Sequence, residues 1–94
     1  MAPNVTLVLP QILADVAGGR TELSLAGVDS VRAAFDSLAG PYPILARRIR
    51  DETGRLRRYV NVYVDGEDVR RRDGLETPVA DGQEILVIQS VAGG

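Results

Sequence analysis

The chain contains no cysteine, no histidine and no tryptophan, and all 11 of its basic residues are arginine. Without cysteine and histidine, the protein has no thiolate nucleophile, no Ser-His-Asp triad and no ordinary zinc site. Without lysine, it has no Schiff-base nucleophile and no P-loop. Carboxylates, hydroxyls and guanidinium groups remain, and these seldom form an enzyme in so small a chain. We therefore expect no catalytic residue, no metal site and no bound cofactor.

Long apolar segments and a strong net charge are also missing. No apolar run approaches the ~18 residues needed to span a bilayer, so we expect no membrane contact. The N-terminus lacks a basic segment followed by a long apolar one, which argues against a signal peptide and for the cytoplasm. A net charge of −2 favours no polyanionic partner overall. The 94 residues, 45% of them hydrophobic, predict one domain with its own core.

Hydrophobic periodicity predicts strands at both ends of the chain and helices between them. The first two strands should pair antiparallel, and Asp29 or Ser30 should cap the main helix by accepting from free backbone N–H groups. Gly40-Pro41 is the expected stop signal of that helix. The apolar run at 85–88 predicts a central strand covered on much of both faces. The predicted strands are 4–9, 20–25, 58–64, 68–69 and 84–89, and the predicted helices are 30–39 and 44–49, with 11–19 as a connection.

This order predicts an α+β domain with one main helix packed on a mixed sheet of four to five strands. The first and last strands should lie side by side and parallel at the sheet centre. We expect residues 1–90 to form the domain and residues 91–94 to form a flexible tail.

The tail ends in Gly93 and Gly94, which have no Cβ atom and so make a thin, conformationally permissive end. One interpretation is a C-terminus that enters a narrow channel in another protein, where its carboxylate is chemically activated. The alternative is a frayed end or an expression remnant, because termini are usually poorly ordered. The tail alone does not decide between them.

Three stretches of the chain resemble the β-grasp (ubiquitin-like) fold and, within it, the bacterial sulfur-carrier proteins. That family includes the small subunit of molybdopterin synthase, the thiazole-synthesis carrier and the actinobacterial carriers for cysteine synthesis, to which the likeness is closest. From the first to the last, the stretches are distributed over nearly the whole chain. They are 4–13, 58–70 and 80–94, with Arg58-Tyr59-Val60-Asn61-Val62-Tyr63-Val64 at the centre of the second.

The resemblance implies that an E1-like enzyme uses ATP to adenylate the Gly94 carboxylate. Sulfur then replaces AMP, and the resulting thiocarboxylate donates sulfur to a biosynthetic partner enzyme. Val91, Ala92 and Gly93 would occupy the partner's channel. The acceptor is left open between cysteine synthesis, molybdopterin, thiazole and a secondary metabolite, as is the oligomeric state.

Two other functions remain open at this point. The chain would be a protein modifier if Gly94 were conjugated to target lysines, as in ubiquitin, although without lysine it cannot build side-chain-linked chains of itself. It would be a non-covalent binding module if the tail were incidental.

Strand alternation predicts a surface for partner docking. If Ile85 and Val87 face inward, Leu86 and Ile88 point away from the helix, and Val8 joins them from the neighbouring strand. The alternative is that a loop covers these three side chains. We interpret the arginine clusters at 47–50, 55–58 and 70–72 as solvated surface charge, and expect no nucleic-acid partner.

Overall fold

The structure, a computed structural model, describes residues 4–90. This part of the chain contains five strands and three short α-helices in the order β-α-β-α-α-β-β-β, with two 3₁₀-helices before the last strand. The strands are β1 (Asn4–Val8), β2 (Glu22–Ala26), β3 (Val60–Val64), β4 (Glu67–Asp68) and β5 (Glu84–Gln89). The helices are α1 (Gln11–Ala14), α2 (Val31–Asp36) and α3 (Pro43–Ile49), and the 3₁₀-helices are Val69–Arg71 and Gly74–Glu76.

The five strands form one mixed sheet in the order β2-β1-β5-β3-β4. β1 pairs antiparallel with β2 and parallel with β5, and β5 pairs antiparallel with β3. The predicted hairpin and the predicted parallel pairing of the first and last strands at the sheet centre are therefore confirmed.

One face of the sheet is packed against the helices. Inward residues such as Leu7, Ile85 and Val87 are almost fully buried, together with Phe35 and Leu38 from the helical layer. Full burial of such a side chain contributes roughly 1.5–3 kcal/mol, so this face specifies the strand register. Cover on the opposite face is incomplete, since Ile88 is 41% exposed. The predicted central position of β5 is confirmed, and the cover on its outer face extends to Leu86 but not to Ile88.

The two helices that the sequence predicts begin within one residue of their predicted starts. The Ser30 hydroxyl accepts a hydrogen bond from the Ala33 N–H at 3.0 Å and caps α2. Pro43 opens α3 at a position where a missing N–H costs nothing. The helical layer is divided into three short helices rather than dominated by one, because the turns around Gly40 and Pro41 separate α2 from α3.

Two local assignments differ from the sequence prediction. The connection 11–19 contains α1, whose Leu13 and Ala14 are buried, but four residues are too few to show a helical period. The edge strand β4 ends at Asp68, and Val69 begins a 3₁₀-helix with its side chain in the core. Burial of a single apolar residue looks the same in a strand and in a 3₁₀ turn.

The carboxylate of Asp65 stabilises the turn after β3. Asp65 adopts a positive φ of 47°. Its carboxylate accepts hydrogen bonds from the Glu84 N–H and from the Gln83 side chain, both at 3.0 Å. The turn is thereby tied to the start of β5.

Candidate functional site

The end of β5 is where the chain leaves the centre of the sheet. Beyond the last residue of β5, the Ser90 N–H donates to the Tyr59 carbonyl at 2.7 Å, so the ladder with the β3 side continues for one more residue. The predicted tail residues Val91, Ala92, Gly93 and Gly94 lie outside the described residues. The structure thus places the residue before this tail at one end of the central strand.

The three residues predicted for partner docking lie on the sheet face opposite the core. Val8 and Leu86 are aligned in the parallel register of β1 and β5, and both are half-buried. Ile88 lies two residues further along β5, toward Ser90, and is exposed. None of the three is buried.

Tyr63 is a fourth member of this surface, and the sequence prediction did not include it. It lies directly opposite Leu86 in the antiparallel register of β3 and β5 and is half-buried. Alternation along β3 is consistent with an outward side chain, but only the strand register shows which residue it faces. We call Val8, Tyr63, Leu86 and Ile88 the outer-face patch.

A polar network joins the outer-face patch to the end of β5. Asn61 lies opposite Ile88, and its side-chain amide donates to the Ser90 hydroxyl at 3.2 Å. The Arg70 guanidinium donates to the Asn61 side-chain oxygen at 2.5 Å and to the Val60 carbonyl at 2.9 Å. Arg70 is therefore engaged with the sheet rather than only solvated. The sequence signal for this contact is that Asn61 and Arg70 lie at matching positions on the two sides of the turn between β3 and β4.

Asp51 shapes the loop between α3 and β3. Its carboxylate accepts hydrogen bonds from the Thr53 hydroxyl and from the N–H groups of Thr53 and Arg55. The Thr53 hydroxyl is the largest cause of a pKa lowered below the ordinary aspartate value, and the charge of Arg57 acts in the same direction. The carboxylate holds the loop and is not a candidate proton donor near neutral pH.

The described residues offer no centre for metal chemistry. Between residues 4 and 90, no group of three or more acidic, histidine or cysteine side chains could hold a metal ion. No helix in the same range has both the length and the apolar character needed to cross a membrane. What these residues present is a surface beside a chain terminus.

Comparisons with known proteins agree in family and fold. The ThiS family model matches residues 7–94. The sulfur carrier protein CysO of Mycobacterium tuberculosis is 40% identical over 93 residues, which are 97% of this chain and 99% of that protein. Its crystal structure superposes with a TM-score of 0.83 at 37% identity, covering 93% of this chain and 99% of the other.

Two further relatives extend the comparison. CysO from Amycolatopsis orientalis, crystallised in a BexX/CysO complex, superposes with a TM-score of 0.80 at 37% identity, covering 96% of this chain and 99% of the other. Small archaeal modifier protein 1 of Haloferax volcanii is 35% identical over 83 residues, 87% of this chain and 91% of that protein. The predicted β-grasp fold is confirmed, and this chain belongs to the ThiS family.

Proposed function

We propose that this protein is a sulfur carrier whose Gly94 carboxylate is adenylated by an E1-like enzyme and converted to a thiocarboxylate. The observation that carries the proposal is the 40% identity to a sulfur carrier protein across 97% of this chain. The thiocarboxylate then donates its sulfur to a biosynthetic partner enzyme. Synthesis of cysteine is the expected destination, because a CysO protein is 40% identical to this chain over nearly the whole length of both proteins.

The chemistry requires activation because a carboxylate is a poor electrophile. A carboxylate oxygen attacks the α-phosphorus of ATP, pyrophosphate leaves, and the acyl-adenylate forms. Sulfide then attacks the acyl carbon, AMP leaves with the bonding electron pair, and the thiocarboxylate remains. The thiocarboxylate is a softer and better nucleophile than the carboxylate it replaces, so it can transfer sulfur to an electrophilic acceptor. ATP belongs to the adenylating enzyme in this scheme, and the carrier itself binds no cofactor.

The tail residues suit this role by their size. Gly93 and Gly94 offer the least steric resistance in a channel that also admits Val91 and Ala92. A larger residue at position 94 would crowd the α-phosphate during adenylation.

The outer-face patch is the surface we assign to docking of the adenylating enzyme. Its apolar side chains are exposed or half-buried, and Ile88 lies nearest to Ser90, where the tail begins. An apolar centre with a polar rim is the usual anatomy of a protein interface, and Asn61 and Arg70 supply part of such a rim. The complex of a related CysO with BexX supports the idea that such carriers work bound to partner proteins.

Intact-mass analysis tests the proposal directly. Incubation with ATP, sulfide and a candidate adenylating enzyme should replace one oxygen of the protein with sulfur, and omission of ATP should abolish the change. A variant that lacks Gly94 is the matched control and should stay unmodified. If each adenylating enzyme of the source organism leaves the full chain unchanged while it activates its own established carrier, the proposal is wrong.

A protein modifier is the second candidate, and one relative favours it. Small archaeal modifier protein 1 is 35% identical to this chain over 83 residues. Both functions begin with adenylation, but a modifier ends in an amide bond between Gly94 and a lysine of another protein. The same mass experiment in cell extract separates the two, since a carrier gains sulfur and a modifier appears joined to larger proteins.

A further inference from the structure

We propose that residues 47–58, the basic segment, form a docking surface for an acidic surface on the partner protein that acts on Gly94. This inference rests on the proposed function. The segment carries six arginines and two carboxylates, so its net charge is +4, whereas that of the whole chain is −2. Six of the 11 arginines of an acidic protein thus lie within these 12 residues.

The charge of the basic segment is largely left uncompensated within the protein. Among residues 4–90, Arg50 is its one arginine with a carboxylate within 4.0 Å, namely Asp36 at 2.7 Å. Arg50 also lies over the Phe35 ring at 5.9 Å, and Arg57 Nε donates to the Arg47 carbonyl. The other guanidinium groups of the basic segment have no ion pair in this part of the chain. Most of them are exposed, in agreement with the prediction of solvated surface charge.

The basic segment lies at the end of the sheet from which the tail departs. It leads directly into β3, whose first residue Val60 is aligned with Gln89 of β5. Tyr59 joins the two, because its carbonyl accepts the hydrogen bond from Ser90. Here the structure shows a groove of about 340 Å³, half of whose lining residues are arginines. The lining residues are Asp51, Arg55, Leu56, Arg57, Arg58 and Tyr59.

The length of the tail brings the partner to this groove. Four residues follow Ser90, and a fully extended chain spans at most about 3.6 Å per residue, so Gly94 lies within roughly 14 Å of Ser90. A protein that encloses Gly94 must therefore approach the groove. Guanidinium groups that lose water against a partner need carboxylates as hydrogen-bond acceptors, or the contact is disfavoured. An acidic protein surface meets that requirement.

Charge reversal with a matched control tests the proposal. Arg55→Glu/Arg58→Glu changes two exposed side chains of the basic segment for which the described residues show no side-chain hydrogen bond. Arg20→Glu/Arg71→Glu makes the same change in net charge at two exposed arginines outside it. We expect the first variant to bind the adenylating enzyme with an association rate about tenfold lower at low salt, and the control to lose far less. The difference should shrink as salt is raised. Equal losses in both variants would overturn the proposal.

A second measurement does not depend on finding that enzyme. Titration of the protein with a hexaglutamate peptide should shift amide resonances of the basic segment and Tyr59, and the shifts should disappear in Arg55→Glu/Arg58→Glu. Shifts distributed over all arginines, or saturable binding of a DNA duplex in preference to the peptide, would contradict the proposal. If no adenylating enzyme activates the wild-type chain, the proposed function fails, and this titration still decides whether the basic segment binds acidic protein surfaces.

Discussion

Ile88→Asp should separate partner binding from folding. Ile88 is 41% exposed, so about three fifths of its side chain is removed from water when the protein folds. Complete burial of an isoleucine contributes roughly 1.5–3 kcal/mol, and the partial burial here corresponds to about 1–2 kcal/mol. Small domains are stable by about 5–15 kcal/mol. We therefore expect the variant to remain folded, with a lower urea midpoint.

The binding effect of Ile88→Asp should be larger than its folding effect. In the bound state the same side chain would lie at an apolar interface, where the loss of a central contact costs about 2 kcal/mol or more and an unpaired carboxylate adds a desolvation cost. The Kd for the adenylating enzyme should rise by about thirtyfold or more, since 1.4 kcal/mol corresponds to a factor of about ten. Isothermal titration calorimetry measures this change, and thiocarboxylate formation at limiting carrier concentration should fall with it.

Ile44→Asp is the matched control because Ile44 is 49% exposed and lies in the first turn of α3, away from the sheet face. A carboxylate in the first turn of a helix is tolerated well. This variant should lose no more stability than Ile88→Asp and should keep its binding. Val87→Asp marks the opposite extreme, since Val87 is fully buried and a buried charge should prevent folding. The assignment of the outer-face patch fails if Ile88→Asp is activated normally, or if Ile44→Asp weakens binding equally.

Three other outcomes follow from single contacts. Ser30→Ala removes the cap of α2 and should lower the free energy of unfolding by about 1 kcal/mol in urea titrations. Thr53→Val should raise the Asp51 pKa toward the ordinary aspartate value, as followed by NMR of the carboxyl carbon. Because the Asp51 pKa is depressed in the folded state, the stability that this hydrogen bond adds is present at neutral pH and is lost as the pH falls through the folded-state pKa. Arg70→Ala should speed hydrogen exchange of the Ser90 amide, and Arg70→Lys should restore protection only in part, since lysine lacks the planar fork.

The sheet could be predicted from the sequence because its strands carry their own period. β5 extends one residue beyond its apolar run at each end, and the inward positions Ile85 and Val87 follow from alternation alone. The boundaries that were missed lie where local sequence does not distinguish two conformations. α1 has only four residues, which are too few to show a helical period in the sequence. Val69 is buried in a 3₁₀ turn, as it would be in a strand.

The candidate site could be predicted only as far as single strands allow. Alternation placed Leu86 and Ile88 outward, and the parallel pairing of the first and last strands brought in Val8. Tyr63 was missed because its place beside Leu86 depends on the register between β3 and β5. The local sequence of either strand does not determine that register. The positive net charge of the basic segment could be read directly from its amino-acid composition. Its position beside Ser90 depends on the fold.

The central position of β5 explains how a small domain can present the origin of its tail to other enzymes, as the proposed function requires. β5 pairs with β1 over residues 84–86 and with β3 over residues 85–89, so the residue before the tail is held in the sheet through its β3 side. A partner that binds the outer-face patch therefore meets the tail at a set distance, and little orientational entropy is lost in finding it. The effect of a substitution on β5 should depend on which face of the sheet its side chain lies on. Inward changes at Ile85 or Val87 should act on stability, and outward changes at Leu86 or Ile88 on partner binding. A stable, well-folded variant at an inward position with selectively impaired activation would show that the two faces are coupled, and the domain would then be more than a rigid support for its terminus.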